Sequence, residues 1–133
     1  MTQQLSFKFL GQTGSQPSRE LDTFPAPSTS IAIKMTSDEV TALCPITGQP
    51  DQYIVEVDYE PKDLCIESKS LKLYFHSFRN DGIFCEAFAT QIVKDVVDAI
   101  HPKCVTVTVF QKARGGISIR ATDDYYELLK SAQ

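Results

Sequence analysis

The sequence predicts a single α+β domain with a four-stranded antiparallel sheet and two helices on one face. Residues 52–60 and 105–110 alternate apolar and polar side chains, as half-buried strands do. Two consecutive stretches, 67–79 and 84–100, instead repeat apolar residues every three or four positions, as amphipathic helices do. One further strand is predicted before the first of these strands and one after the second, so the predicted order is strand, strand, helix, helix, strand, strand.

The N-terminal part of the chain is rich in Gln, Ser, Thr and Pro, which predicts an irregular arm over residues 1–30 and a single domain over 31–133. The first strand candidate is 31–36, where the alternation is loose. Ser37 and the two acids after it resemble a helix cap, so a short helical turn is predicted before Cys44.

The apolar patterns of the middle elements predict which side chains are buried. The strand at 52–60 is predicted to bury Tyr53, Val55, Val57 and Tyr59. The first helix is predicted to bury Leu71, Tyr74, Phe75 and Phe78. The second helix is predicted to bury Phe84, Phe88, Ile92, Val96 and Ile100, and to end at His101 and Pro102.

The C-terminal part of the chain predicts a hairpin. The strand at 105–110 is followed by Arg114-Gly115-Gly116, a turn sequence, and then by a partner strand at 117–120. The polar tail, 123–133, is predicted to form a short terminal helix.

Composition excludes several classes of protein. A chain of 133 residues and 14.8 kDa has room for one core, and its net charge of -4 argues against a general nucleic-acid-binding surface. No apolar run approaches the roughly 20 residues of a membrane span, and the first residues do not resemble a secretion signal. A cytoplasmic protein is expected.

Four cysteines lie 21, 20 and 19 residues apart, without a Cys-x-x-Cys pair, and there are only two histidines. This pattern predicts neither a zinc site nor a disulfide framework. We expect four free thiols in a reducing compartment and no bound metal.

Cys44 and Asp51 are the first candidate for chemistry. They lie seven residues apart across a segment that contains Pro45, Gly48 and Pro50, so irregular backbone separates them. A thiolate can attack an electrophilic carbon while a nearby acid protonates the atom that gains charge. The alternative is a buried, unreactive cysteine, which is the commoner situation.

Lys69, Lys72 and Arg114 are the second candidate. The two lysines lie three residues apart on one side of the predicted helix, and Arg114 precedes two glycines. These cations suit a phosphorylated ligand, although spacing alone fits a solvated lysine face equally well.

Four segments then carry a resemblance to a known family: Cys44-Pro45-Ile46-Thr47-Gly48-Gln49-Pro50-Asp51, Glu67-Ser68-Lys69-Ser70-Leu71-Lys72-Leu73-Tyr74, Ser77-Phe78-Arg79-Asn80 and Arg114-Gly115-Gly116-Ile117-Ser118-Ile119. In this order they closely resemble the short form of 7-cyano-7-deazaguanine reductase, the NADPH-dependent nitrile reductase of queuosine biosynthesis, a tRNA modification. The resemblance covers roughly residues 37–119. It implies the tunnelling fold and a ring-forming homo-oligomer, a decamer of two pentameric rings, with active sites between subunits.

The resemblance also implies roles for individual residues. Cys44 would form a covalent thioimide with the nitrile carbon, and Asp51 would protonate the nitrogen. NADPH would deliver hydride twice, and Lys69, Lys72 and Arg114 would hold its phosphates. The substrate would be held by Ile66, Glu67, Ser68, Cys85 and Glu86. Direct contact with nucleic acid or a membrane is not expected.

Cys85 is the one clear departure, because the family usually has a histidine immediately before the substrate-binding glutamate. A thiol is a weak donor and is not cationic, so the path of protons is the feature that this change affects. Two alternatives stay open: an amidinotransferase-like relative that forms the same thioimide without hydride transfer, and a non-catalytic deazapurine-binding protein. A hydrolase of the GTP cyclohydrolase type is disfavoured by the missing zinc ligands.

Overall fold

The computed structural model describes residues 7–11 and 14–128, and it has the predicted α+β architecture. Its main sheet has four antiparallel strands in the order β2-β3-β5-β6. The strands are β2 (Ile33–Leu43), β3 (Pro50–Glu60), β5 (Cys104–Arg114) and β6 (Ile117–Tyr126). Two helices, α1 (Ser68–His76) and α2 (Cys85–Ile100), lie between β3 and β5 in the chain. A second, two-stranded sheet pairs β1 (Thr23–Pro25) with β4 (Leu64–Ile66).

One face of the main sheet forms the core with both helices. The predicted face of β3 is confirmed, since its Tyr and Val side chains are fully buried opposite those of β5, with Val55 paired to Val109 and Val57 to Val107. The ring of Phe88 on α2 packs edge-on against Tyr53 at 5.3 Å between centroids. Burying these aliphatic and aromatic side chains is the main force that holds the helices to the sheet.

The two helices largely match their predicted patterns. In α2 the buried stripe is confirmed from Phe88 to Ile100, whereas Phe84 lies just before the helix and is exposed. His101 ends α2 in the left-handed conformation, as the residue after a helix often does. The helix α1 is shorter than predicted, and residues 77–80 continue as turns.

The short helical turn predicted at Ser37 is wrong, because β2 runs through this segment to Leu43. The pairing with β3 shifts register between Ser37 and Val40, which marks a β-bulge. Pairing with β3 provides backbone hydrogen bonds on both sides of the bulge, and the strand buries Val40 and Ala42. These gains outweigh the local capping preference of the Ser-Asp-Glu sequence.

The ends of the chain differ from the prediction in two places. The arm is not irregular throughout, because residues 23–25 form β1. The terminal helix is wrong over 123–126, where β6 continues and Val105 pairs with Tyr125. Residues 129–133 of that predicted helix lie outside the described residues. No helix among the described residues is long and apolar enough to span a membrane.

Candidate active site

Cys44 lies in a tight loop between β2 and β3. Its backbone N–H donates to the carbonyl of Gln49 (2.8 Å), and its own carbonyl accepts from the N–H of Gly48 (2.9 Å). Gly48 has a φ of 71°, a conformation that glycine adopts without strain. The loop therefore closes on itself and holds the cysteine at its base, 6% exposed.

A second segment, the turn before α2, holds this loop from outside. The Leu43 N–H donates to the Asp81 carbonyl (2.8 Å), and the Ile83 N–H donates to the Leu43 carbonyl (3.0 Å). A Cβ atom on Gly82 would come within 3.2 Å of the Pro45 Cα, so a larger residue would push the two segments apart. Residues 81–83 and 43–45 thus form one packed unit.

Hydrogen bonds around Cys44 favour its thiolate. The side chain of Thr47 is the largest influence, followed by the backbone groups of Thr47 and Ile46 and by the Arg114 side chain, and together they lower the pKa of Cys44 to about 6. Burial opposes this shift but is weaker. A thiol with this pKa is mostly ionised at neutral pH, and the thiolate is the nucleophilic form.

Arg114 connects the thiol to the carboxylate. Its guanidinium donates to the carboxylate of Asp51 at 3.0 Å, and its contact with Cys44 is the largest cause of its own raised pKa. Asp51 is only 5% exposed, whereas the Arg114 side chain is 41% exposed. The β2–β3 hairpin explains the seven-residue spacing, because Asp51 pairs with Ala42, two residues before Cys44.

Tyr53, Gln111 and Cys85 form the buried floor next to this cluster. The Tyr53 hydroxyl donates to the Gln111 side-chain oxygen (3.4 Å), and the Cys85 thiol donates to the Val109 carbonyl (3.5 Å). Burial, and then the charge of Asp51, raise the pKa of Tyr53. Burial is also the main cause of a raised pKa at Cys85, with a smaller effect from Asp51, so this thiol is neutral at pH 7.

Sequence reasoning assigned no role to Thr47, Tyr53 or Gln111. A signal for Gln111 did exist: it follows Val105, Val107 and Val109 at the same period of two, so it is a polar residue on a buried face. The effect of Thr47 depends on how the loop folds back on Cys44, which spacing does not show.

The predicted substrate-binding residues lie in two separate places. Glu86 is exposed on the first turn of α2, next to the buried Cys85. Glu67 instead caps α1, and its carboxylate accepts from the backbone N–H groups of Lys69 (2.7 Å) and Ser70 (2.8 Å). Ile66 is buried, and its N–H donates to the Tyr59 hydroxyl (2.9 Å).

The start of α1 is remote from the Cys44 loop. The eight steps from Ser68 to the end of α1 span about 12 Å at the rise of an α-helix, and the backbone hydrogen bonds to the Cys44 loop come from Asp81 and Ile83, beyond the end of α1. The structure therefore brings Cys44, Asp51, Arg114, Cys85 and Glu86 to one region, and it leaves Ile66, Glu67 and Ser68 at another.

The predicted cofactor residues are also divided. Arg114 lies with the reactive pair, whereas Lys69 and Lys72 are on α1. The Lys69 ammonium donates to the Phe9 carbonyl (2.6 Å). Lys72 is exposed and lines a groove of about 310 Å³ between α1 and the bulge of β2, together with Ser68 and Glu39. Within residues 7–11 and 14–128, no group of three or more His, Cys, Asp or Glu residues could hold a metal ion.

Comparisons with known proteins show which family this chain belongs to. The profile of a family described as "QueF-like protein" matches residues 50–128. A protein of Frankia casuarinae named NADPH-dependent 7-cyano-7-deazaguanine reductase is 47% identical over 116 residues, which are 87% of this chain and 93% of that protein. A protein of the same name from Methylobacillus flagellatus is 49% identical over 105 residues, 77% of this chain and 76% of the other.

A solved structure shares the fold. The archaeosine synthase QueF-Like in its apo form superposes with a TM-score of 0.67 over 78% of this chain and all of its own length. Its sequence identity is 22%, so this likeness concerns the fold alone.

Proposed function

This chain belongs to the QueF family, together with NADPH-dependent 7-cyano-7-deazaguanine reductases, and we propose that it reduces the nitrile of 7-cyano-7-deazaguanine to an aminomethyl group for queuosine biosynthesis, through a thioimide on Cys44. The observation that supports this best is the cluster in which Arg114 contacts both Cys44 and Asp51. It combines a nucleophile that is ionised at neutral pH with a buried carboxylate, as addition to a nitrile requires.

The first step joins the substrate to the enzyme. The Cys44 sulfur forms a bond to the nitrile carbon, one π bond of the C≡N group breaks, and the nitrogen takes up a proton to give the thioimide. In the free enzyme the Cys44 thiolate and the Asp51 carboxylate share the guanidinium of Arg114. Asp51 carries that proton to the nitrogen, and Arg114 remains to compensate the negative charge.

The remaining steps return the enzyme to its starting state. NADPH, when bound, supplies the two hydrides that the carbon needs, one for each two-electron reduction. The C–S bond breaks between the two reductions, so Cys44 leaves as a thiolate, which its hydrogen bonds from Thr47 and Arg114 stabilise. The first hydride and the loss of the thiolate leave a neutral imine and need no further proton. Asp51 passes the second proton to the nitrogen when the imine is reduced, so that a nitrile becomes a primary amine with four electrons and two protons.

The described residues fit the cofactor in part. Lys72 is an exposed cation beside a groove, which suits a dinucleotide phosphate, and Lys69 is one helical turn away. Arg114 is bound to Asp51 within the reactive cluster, so we assign it first to the Cys44–Asp51 pair. For the substrate, Glu86 is an exposed carboxylate next to Cys85, whose thiol lies beside this cluster, and a carboxylate can accept two N–H donors from a guanine-like base.

We further propose that the chain adopts the tunnelling fold and assembles into rings, as a decamer of two pentamers in the cytoplasm. Among the described strands, β2 and β6 each have a neighbour on one side only in the main sheet, so both can extend it. Three large apolar side chains, Ile46, Phe84 and Ile117, are exposed on the segments that carry Cys44, Cys85 and Arg114. A neighbouring copy that covers them would lie directly beside the Cys44 site.

The test is NADPH oxidation by the purified protein on addition of 7-cyano-7-deazaguanine, with the cofactor counted per nitrile consumed. Two NADPH per nitrile are expected, and without NADPH the Cys44 peptide should gain the mass of one substrate molecule. Binding of the nitrile without oxidation would contradict the reductase and favour the transferase or the non-catalytic binder. Light scattering on the eluted protein tests the assembly, and a monomer that is fully active would contradict it.

A further inference from the structure

Arg19 links the N-terminal arm to the turn between α1 and α2. Its guanidinium carbon lies 3.4 Å from the centroid of the Phe78 ring, which is itself buried. The same group forms an ion pair with the carboxylate of Asp81, and it donates to the hydroxyl and the carbonyl of Ser77. One planar side chain therefore holds three residues of this turn, 58 to 62 residues away in sequence.

The turn that Arg19 holds is the segment that supports the Cys44 loop. Asp81 pairs with Arg19 through its side chain, and its backbone carbonyl accepts from Leu43. Ile83 then donates back to Leu43, and Gly82 packs against Pro45. Asp81 therefore contacts Arg19 through its side chain and Leu43, the residue before Cys44, through its backbone.

The same turn also sets the start of α2 and the floor of the site. Residues 84–86 follow it directly, so its position determines where Cys85 and Glu86 lie. The ring of Phe78 packs on Phe88 at 4.7 Å, and Phe88 packs on Tyr53 at 5.3 Å. A displacement of the turn would therefore reach the site through both the backbone and the aromatic side chains.

We propose that Arg19 is a positioning residue for the reaction, which locks the turn at 77–83 and thereby keeps the Cys44 loop in its reactive geometry. This inference rests on the proposed role of Cys44. A partly exposed ion pair contributes little to stability, so the value of this contact lies in its geometry. Arginine suits the position because its planar guanidinium can stack on the Phe78 ring while its N–H groups donate in the plane of the group. The ammonium of lysine is not planar and can do neither.

The experiment measures how fast iodoacetamide alkylates Cys44, followed by peptide mass and repeated across pH, in wild type, Arg19→Gln and Arg19→Lys. Lys8→Gln is the matched control, because Lys8 lies in the same arm and forms an exposed ion pair with Glu20 that does not reach the turn. We expect the alkylation rate at pH 7 to fall by about fivefold in Arg19→Gln, and by nearly as much in Arg19→Lys, because lysine keeps the charge but neither the stacking nor the forked hydrogen bonds. Lys8→Gln should match wild type.

Steady-state kinetics with the nitrile add a second readout. In Arg19→Gln, kcat should fall by a similar factor with little change in KM, since the arginine touches the support of the nucleophile and not the substrate. Thermal melting establishes whether each variant is folded. If Arg19→Gln does not fold, the comparison is made with Arg19→Lys instead.

Two results would overturn the inference. One is a folded Arg19 variant whose Cys44 is alkylated like wild type at every pH. The other is a fall in the alkylation rate of Lys8→Gln as large as that in Arg19→Gln. That result would assign the effect to the arm in general. Alkylation needs neither nitrile nor NADPH. A chain that never oxidises NADPH would thus contradict the proposed function alone, and the comparison of alkylation rates would still decide the role of Arg19.

Discussion

The Cys44 loop and the start of α1 hold the two sets of predicted functional residues, and they differ in how far one subunit completes them. At the loop, Arg114 already contacts both Cys44 and Asp51, and the thiol pKa is lowered to about 6. At the start of α1, the carboxylate of Glu67 is used by the helix itself, whereas Ser68 and Lys72 are exposed.

This difference follows from what each set has to do. Groups that make and break bonds must be held in place before the substrate arrives, because reorganisation during the reaction would be costly. Groups that hold a ligand must leave room for it, so they face outward. Under the proposed function, a single chain thus holds its bond-forming groups in place, whereas the ligand-holding residues would be completed by a substrate, a cofactor and a neighbouring copy.

The largest expected effect comes from removing the nucleophile. Cys44→Ala should lower the rate of NADPH oxidation at least about 10⁴-fold, because the other thiol beside the site, Cys85, is buried and its raised pKa keeps it neutral. Calorimetry should still detect binding of the nitrile. Cys104→Ala is the matched control, since this half-buried thiol lies at the start of β5 and its pKa is raised, mainly by burial. Appreciable turnover in Cys44→Ala would exclude covalent catalysis by this residue.

A smaller effect tests what keeps Cys44 ionised. The Thr47 side chain is the largest cause of the lowered thiol pKa, so Thr47→Val should raise that pKa toward its ordinary value. Because only the thiolate reacts, the pH profile of Cys44 alkylation should move to higher pH, and the rate near pH 6 should fall most. Thr36→Val, at an exposed position on β2, supplies the control. An unshifted profile would show that the backbone groups and Arg114 are enough to keep the pKa of Cys44 low without the Thr47 side chain.

The smallest effect tests the other region. Lys72→Gln should raise KM for NADPH about threefold with kcat unchanged, because an exposed cation contributes modestly to phosphate binding. Lys34→Gln is a matched control, since it removes an exposed lysine that pairs with Asp58 on the neighbouring strand. An unchanged KM would remove the phosphate role from Lys72, and the groove beside it would then lose its main support as the cofactor site.

Local patterns in the sequence determined much of this protein. Alternation fixed which side of β3 faces the core, and the four-residue repeat identified the buried stripe of α2. The short spacing of Cys44 and Asp51 was enough to predict that they lie close together, because a hairpin brings the ends of its two strands together. These features depend on neighbours close in the chain, which is the information that periodicity carries.

Only the tertiary structure decided the rest. Ser37 and residues 123–126 carry local signals for helix, but pairing with β3 and β5 supplies more backbone hydrogen bonds and burial, so both became strand. The contact of Arg114 with Cys44, and that of Arg19 with Asp81, join residues about 60 to 70 positions apart. Such contacts depend on how whole elements pack, and the free energy of that packing is not visible in the sequence near either residue.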